Sequence, residues 1–421
     1  MHCGKFSDAV TTILKRRSLL PTVLALGLLM ACAPGTRVFM PTTDQVSLAS
    51  QVYCSTMLAQ RDAFSERLLK RLEGKLSRNE PLTIDILALS SGGQYGAFAV
   101  GLLQGWSQVQ SHAWRRPEFD VVTGVSTGAL IAPFAFVGTD ESICRIDQLY
   151  QEVTDDLVVL RDIFFFLPWR PSFFDNRKLA QRIECEVTSE MVREIAAQHA
   201  KGRILLVGAT DLDLGRLRVW DLGHEADLAA AKDDRKRLHR ALLASAAIPG
   251  AFPPVEIDHS LYADGACTQQ AISGVDREQL VSVVKAFSEA HPNAPTPRVR
   301  IWVIVNGKLD PETSVTRAEW VSVSSRALYT VLSYGLRTTL REFQLGAEAL
   351  TAGSRIPCEF HYVAVPADFE IPVSGTYKLF DPELMGRLSE LGRKMGADPS
   401  VWRSDVAPVE LPSGDMAAGV E

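Results

Sequence analysis

The chain has 421 residues, of which 46% are hydrophobic and 22% charged, with a formal net charge of −6. That balance suits a soluble globular protein able to bury a large core, and it lacks the basic footprint of a nucleic-acid binder. The one dense basic run, residues 232–240 (KDDRKRLHR), mixes signs and reads as a solvated helix face.

Residues 1–31 read as a targeting segment rather than part of the fold. Lys15, Arg16 and Arg17 precede a short apolar run (19–30) interrupted by Pro21. At about a dozen residues this run falls short of the roughly 20 that span a bilayer. It ends in Leu29-Met30-Ala31-Cys32, which resembles the lipobox of bacterial lipoproteins. The resemblance implies lipidation of Cys32, making it the first mature residue and the link to a membrane. Ala33 follows, without the acidic signal of inner-membrane retention, so an outer-membrane lipoprotein of the cell envelope is expected. The competing reading is an ordinary signal peptide or anchor in which Cys32 is incidental. Cys54, Cys144, Cys185, Cys267 and Cys358 are irregularly spaced and form no CxxC or Cys/His cluster, so they are expected to be mostly buried fillers.

Residues 32–79 read as a Pro/Thr-rich tether followed by a charged surface helix over 46–76. Strands are expected at 82–89, 119–123, 203–210, 217–221, 255–262, 299–306 and 359–365. Helices are expected at 95–109, 128–137, 143–157, 176–199, 236–246, 276–289, 319–350 and 382–395. This alternation implies an α/β fold, a mostly parallel central sheet covered by helices on both faces. No repeat or linker interrupts it, so one catalytic domain is expected over 80–402, with a flexible tail at 403–421.

Ser90-Ser91-Gly92-Gly93-Gln94-Tyr95-Gly96 lies between the first expected strand and an amphipathic helix. Glycines there let backbone N–H groups face a concavity at a helix N-terminus, which suits an anion. A dinucleotide site would need an acidic residue at the end of the second strand, whereas Asp120 lies at its start. A phosphate loop would need a Gly-Lys-Ser/Thr ending, which is missing. An oxyanion hole and a simple tight turn remain.

Gly124-Val125-Ser126-Thr127-Gly128 follows a strand and opens a helix, the context that a GxSxG nucleophile elbow requires. A serine hydroxyl needs a base to become a nucleophile. The candidate is Asp264, in Ala263-Asp264-Gly265-Ala266, where a strand-like run ends; an isolated Asp-Gly would read equally well as a turn.

These elements, in this order, resemble the patatin-like phospholipase family. The likeness rests on Gly92-Gly93-x-x-Gly96, Gly124-x-Ser126-x-Gly128 and Asp264-Gly265-Ala266. It extends to the run Ala244-Ser245-Ala246-Ala247-Ile248-Pro249-Gly250-Ala251-Phe252-Pro253-Pro254 and to Thr210-Asp211-Leu212-Asp213-Leu214-Gly215. The resemblance covers about 82–266. It implies a three-layer α/β/α sandwich that hydrolyses acyl esters of lipids, with Ser126 as nucleophile, Asp264 as its base, and N–H groups around Gly92, Gly93 and Gln94 as the oxyanion hole. Two departures stand out: Ser91 replaces the family's first loop glycine, and Tyr95 replaces a basic residue, leaving the loop one cation short.

The segment 162–175 (DIFFFLPWRPSFFD) gathers aromatic residues around two prolines and reads as an acyl-chain wall, a lid, or core packing. His224, His239, His259 and His361 are scattered, and each is expected to have a surface or structural role. These motifs call for no metal and no cofactor; the expected partner is a lipid substrate, and nothing indicates a protein partner. Two alternatives stand beside the dyad hydrolase: a Ser-His-Asp esterase or thioesterase, and a catalytically silent lipid-binding envelope lipoprotein.

Overall fold

The computed structural model describes Arg37 and residues 40–111, 113–152, 159–160, 172–310, 313, 315–371 and 380–407. The targeting segment, Cys32, and Phe164, Phe165, Phe166 and Trp169 of the aromatic segment lie outside the described residues.

The central sheet contains β1 (Thr83–Leu89), β2 (Val121–Val125), β5 (Ile204–Asp211), β6 (Arg216–Asp221), β7 (Val255–Ile257), β8 (Ser260–Asp264), β9 (Arg298–Val305) and β10 (Cys358–Ala364), while β3 (Val159–Leu160) and β4 (Phe174–Asp175) form a separate small ladder. Its order is β10-β9-β1-β2-β5-β8-β7, with β6 also paired to β5. The first five strands in that order run parallel. The pairings of β5 with β6 and β8, and of β7 with β8, are antiparallel. β1, β2 and β5 are buried almost end to end, as expected of strands covered on both faces.

One face is covered by α2 (Gly96–Trp106), α3 (Thr127–Val137), α4 (Asp140–Gln151), α5 (Arg177–Glu186), α6 (Ser189–Ala200), α7 (Leu222–Lys232), α8 (Lys236–Ser245) and α11 (Pro382–Gly396). The other carries α1 (Thr43–Ser77), α9 (Arg277–Ala290) and α10 (Trp320–Ser354). The result is a three-layer α/β/α sandwich. Alternate residues of β1 feed the two cores: Leu87 and Leu89 one, Ile84, Ile86 and Ala88 the other.

Several elements differ from the sequence expectation. Residues 176–199 are two helices, because the chain turns at Val187 and Thr188 caps α6 by accepting from Met191 N. Residues 255–262 are a hairpin rather than one strand, with Asp258 and His259 at φ 50° and 68° in its turn. Helix α7 was not expected; Asp221 caps it by accepting from His224 N. Arg403 and Val406, expected in the tail, are tied down: Arg403 pairs with Tyr362, and buried Val406 donates to Gln344. Asp120 is an ion-pair hub at the N-terminal end of the sheet, where Arg71 and Lys75 of α1 donate to it at 2.8 and 2.7 Å.

Candidate active site

The elbow is built first by sterics. β2 ends at Val125, α3 begins at Thr127, and Ser126 between them takes φ 56°, ψ −122°. A side chain at that φ stores strain, of order 1–3 kcal/mol, so the surroundings must hold it. Close packing does so: a Cβ on Gly124 would lie 2.3 Å from the Gly128 carbonyl oxygen, and one on Gly128 would lie 2.3 Å from that of Leu89. A hydrogen-bond relay adds to this. Ser126 N–H donates to Ser245 Oγ at 3.0 Å, and Ser245 donates to the Gly208 carbonyl at 2.6 Å.

The register of β5 brings the second residue in. On one edge of β5, Gly208 is the partner of Val125 at the end of β2, and the next residue, Ala209, is the partner of Asp264 at the end of β8. β6 occupies the opposite edge over the same residues, so β2 and β8 abut end to end. Ser126 Oγ therefore donates to Asp264 Oδ2 at 2.6 Å. Asp264 Oδ1 accepts from Ala266 N at 2.9 Å, and Thr210 Oγ1 donates to the Asp264 carbonyl at 2.9 Å.

Both side chains are nearly sealed from solvent, Ser126 at 4% and Asp264 at 3% exposure. Burial disfavours the carboxylate and pushes the Asp264 pKa up to about 7, while the bonds from Ser126 and Ala266 pull the other way. A carboxyl titrating there is matched to proton exchange at neutral pH.

The Gly-rich turn stands beside the elbow. Ser91 N donates to the Gln270 carbonyl at 2.8 Å, Ser91 Oγ bonds the Gln270 side chain, and Asn306 Nδ2 donates to the Ser90 carbonyl at 2.6 Å. Gly92 has φ 155°, and a Cβ on it would lie 1.8 Å from the Asn306 carbonyl oxygen; Gly93 has φ 56° with open space where a Cβ would be. Gln94 Oε1 accepts from Asp381 N at 2.8 Å, tying the turn to the start of α11. Tyr95 is half-buried against the core.

Gly93 and Ser126 open onto the same cavity, of about 520 Å³. Its inner wall is apolar, with Leu130, Phe134, Leu149, Leu179, Ile248 and Phe252, while Lys178, Arg182, Glu152 and Glu186 supply charge of both signs, Arg182 paired with Glu152 at 2.6 Å. Thr127 and Tyr150 join their hydroxyls in its lining.

Among the described residues, no histidine hydrogen-bonds Ser126 or Asp264. His224 and His259 are exposed. His239 Nε2 bonds the Val187 carbonyl, and His361 stacks on Trp302. No cluster of potential metal ligands occurs among the described residues. The cysteines correct an expectation: Cys54, Cys144, Cys185 and Cys267 are exposed and Cys358 is half-buried. Cys54, Cys144 and Cys185 lie on helices, Cys267 in the turn after β8, and Cys358 opens strand β10.

Residues 87–271 match the family model described as patatin-like phospholipase. The matched segment contains the Gly-rich turn, the elbow and Asp264, and the matched family is one of lipid acyl hydrolases. The chain is also similar to the crystal structure of VipD from Legionella pneumophila, at 12% identity over 77% of this chain and 68% of that one, with a TM-score of 0.34. No curated protein matches the chain.

Sequence reasoning missed the groups that hold the candidate site in shape. Ser245 and Thr210 fall inside runs already noted, yet nothing local marks them as partners of Ser126 and Asp264. Helix α11, outside the matched residues, locks α2 by glycine contact: a Cβ on Gly101 would lie 2.0 Å from the Ser389 carbonyl oxygen, and one on Gly392 would lie 2.2 Å from that of Phe98. Glycines four apart on both helices (Gly101 and Gly105, Gly392 and Gly396) were the available signal.

Proposed function

We propose that the chain is a serine acyl-ester hydrolase acting on lipids, of phospholipase or lysophospholipase type, using a Ser126–Asp264 dyad. The observation that carries this reading is the 2.6 Å contact from Ser126 Oγ to a buried carboxylate oxygen of Asp264. Asp264, as carboxylate, accepts the hydroxyl proton while Oγ bonds to the ester carbonyl carbon. The tetrahedral oxyanion then collapses; its bond to the leaving oxygen breaks, and the proton returns to the departing alcohol. Water attacks the acyl-Ser126 ester with Asp264 again as base, releasing the fatty acid and restoring the hydroxyl.

The N–H groups around Gly92, Gly93 and Gln94 serve in this proposal as the oxyanion hole, at the positive end of α2. Each such donor is typically worth about 3 kcal/mol of barrier. The apolar cavity beside Ser126 supports an acyl chain as the group held. With Tyr95 where the family carries a cation, recognition of a phosphate falls to groups beyond the turn. Delivery as an outer-membrane lipoprotein through acylated Cys32 belongs to the same proposal and would place the enzyme beside its substrate.

The test is fatty-acid release from phospholipid and lysophospholipid dispersions by the purified protein and by Ser126→Ala and Asp264→Asn. The proposal expects release by the wild type and about a thousandfold less by either variant. Undiminished release by Ser126→Ala would end it.

A further inference from the structure

Two long helices on one face of the sheet overshoot it at the same end. Helix α10 runs antiparallel to the strands, and its buried residues, Leu336, Leu340, Phe343, Ala347 and Leu350, span about 21 Å. That matches the length of β9, about 23 Å. The first half of α10 has no such support: Trp320 is 70% exposed, Val323 51%, Tyr329 41%, Val331 68% and Tyr334 51%. Gly335, where support begins, lies beside Gln270, the residue that anchors Ser91 of the Gly-rich turn. The unsupported half of α10 therefore projects about 22 Å past the end of the sheet that carries Ser126.

Helix α1 overshoots the same way. It is buried from Phe64 onward, and its Lys75 reaches the start of β1; upstream, Leu48 is 61% exposed, Val52 53% and Leu58 61%. Its N-terminal half leans on the start of β6, through Tyr53 OH donating to the Leu217 carbonyl at 2.5 Å.

The overhangs are nearly free of charge. Residues 45–60 carry none and residues 320–335 carry only Arg326. At the chain's 22% these 32 positions would hold about seven charged groups. Exposed Trp, Tyr and aliphatic side chains among Ser and Thr are the composition of a membrane–water interface. Among the described residues no helix is long and apolar enough to cross a membrane, so contact would be with the surface.

The N-terminus leads to the same end. Arg37 donates to both carboxylate oxygens of Asp213, at 2.7 and 2.6 Å, and to the His259 carbonyl at 2.8 Å, which pins the chain beside the turns after β5 and β7. Cys32 is five residues upstream, at most about 17 Å of chain.

We infer that the end of the sheet carrying Ser126 is a lipid-docking face, with the overhanging halves of α10 and α1 seated on a bilayer surface and the N-terminal tether leaving from that side. This orientation rests on the lipid-hydrolase reading, and its test is made without catalysis. The mature chain carries Cys32→Ser, removing any acyl anchor, and Ser126→Ala, leaving the lipids intact. Its partition onto phosphatidylethanolamine–phosphatidylglycerol vesicles is compared with that of the same chain bearing Trp320→Ser, Tyr329→Ser and Tyr334→Ser. A control bears Leu345→Ser, an exposed leucine in the half of α10 that packs along the sheet. The inference expects about tenfold weaker partition for the triple variant and none for the control. It also expects Trp320 fluorescence in the parent to be quenched by brominated lipid. Equal partition of the triple variant and parent overturns it, as does conversion of a dimer to a monomer with partition unchanged, which would make a second copy the occupant.

Discussion

Gly265 lies so close to Gly208 that a Cβ on it would sit 2.3 Å from the Gly208 carbonyl oxygen. That contact lets the residue before it, Asp264, reach the end of β2. The same carbonyl accepts the Ser245 hydroxyl, which in turn accepts the Ser126 N–H. One backbone oxygen of β5 thus borders the supports of both Ser126 and Asp264.

Gly265→Ala should therefore act on Asp264 through the backbone. Overpacking at a rigid carbonyl costs about 1–3 kcal/mol, and the strand end must shift to relieve it. Ester hydrolysis should fall about a hundredfold with a modest loss of thermal stability, read by kcat and by calorimetry on the same sample. Unchanged kcat would show that the contact does not position the carboxyl.

Ser245→Ala removes the acceptor of Ser126 N–H and the donor to Gly208, leaving two buried backbone groups without these partners. The expected cost is about 1–3 kcal/mol of stability. Because the elbow is strained, kcat should drop about tenfold with little change in KM. Denaturant melts and steady-state kinetics on a soluble short-chain ester read both.

The two turn glycines should differ sharply. Gly92→Ala drives a Cβ into the Asn306 carbonyl and should impair folding, seen as loss of soluble protein or of its cooperative melt. Gly93→Ala meets open space, and its cost is the positive φ alone, about 1–2 kcal/mol. It should fold and lose activity through the altered turn. Equal behaviour of the two would contradict the steric reading.

The pH dependence follows from Asp264, whose pKa burial lifts to about 7. In the proposed reaction Asp264 acts as the carboxylate, so kcat/KM should rise with pH and level off above about 7. Stability runs the opposite way. A carboxyl with a folded pKa above its unfolded one contributes fully below the ordinary carboxylate range, and its contribution is lost as pH rises through the folded value. Asp264→Asn should therefore melt higher than the wild type at pH 8, with the difference shrinking toward pH 4. Melting curves across that range check the sign.

Much of the candidate site's geometry was legible because its residues sit at strand ends. GxSxG and Asp-Gly announce themselves by glycine, and the alternation of apolar runs marks the strands that carry them. The supports were not legible. Ser245 is one hydroxyl in a Leu- and Ala-rich helix, and the N–H that it accepts is 119 residues away. The hairpin around Asp258 and His259 turns without glycine, so an apolar run read as one strand is two. The two-helix split at Val187 depends on a Thr cap that competed with a continuous helical period. The N-terminal helix read as surface, yet Phe64, Leu68 and Leu72 enter the core and Arg71 and Lys75 meet buried Asp120, a pairing set by tertiary contact rather than by pattern.

The central claim is that Asp264 makes Ser126 nucleophilic. The direct measurement is the rate at which a fluorophosphonate attaches covalently to Ser126 at pH 8, followed by mass spectrometry of the peptide that contains it. The account predicts labelling of the wild type, none at this peptide in Ser126→Ala, and labelling slowed about a hundredfold or more in Asp264→Ala. Wild-type labelling rates in Asp264→Ala, or label on another residue while Ser126 stays unmodified, would contradict it.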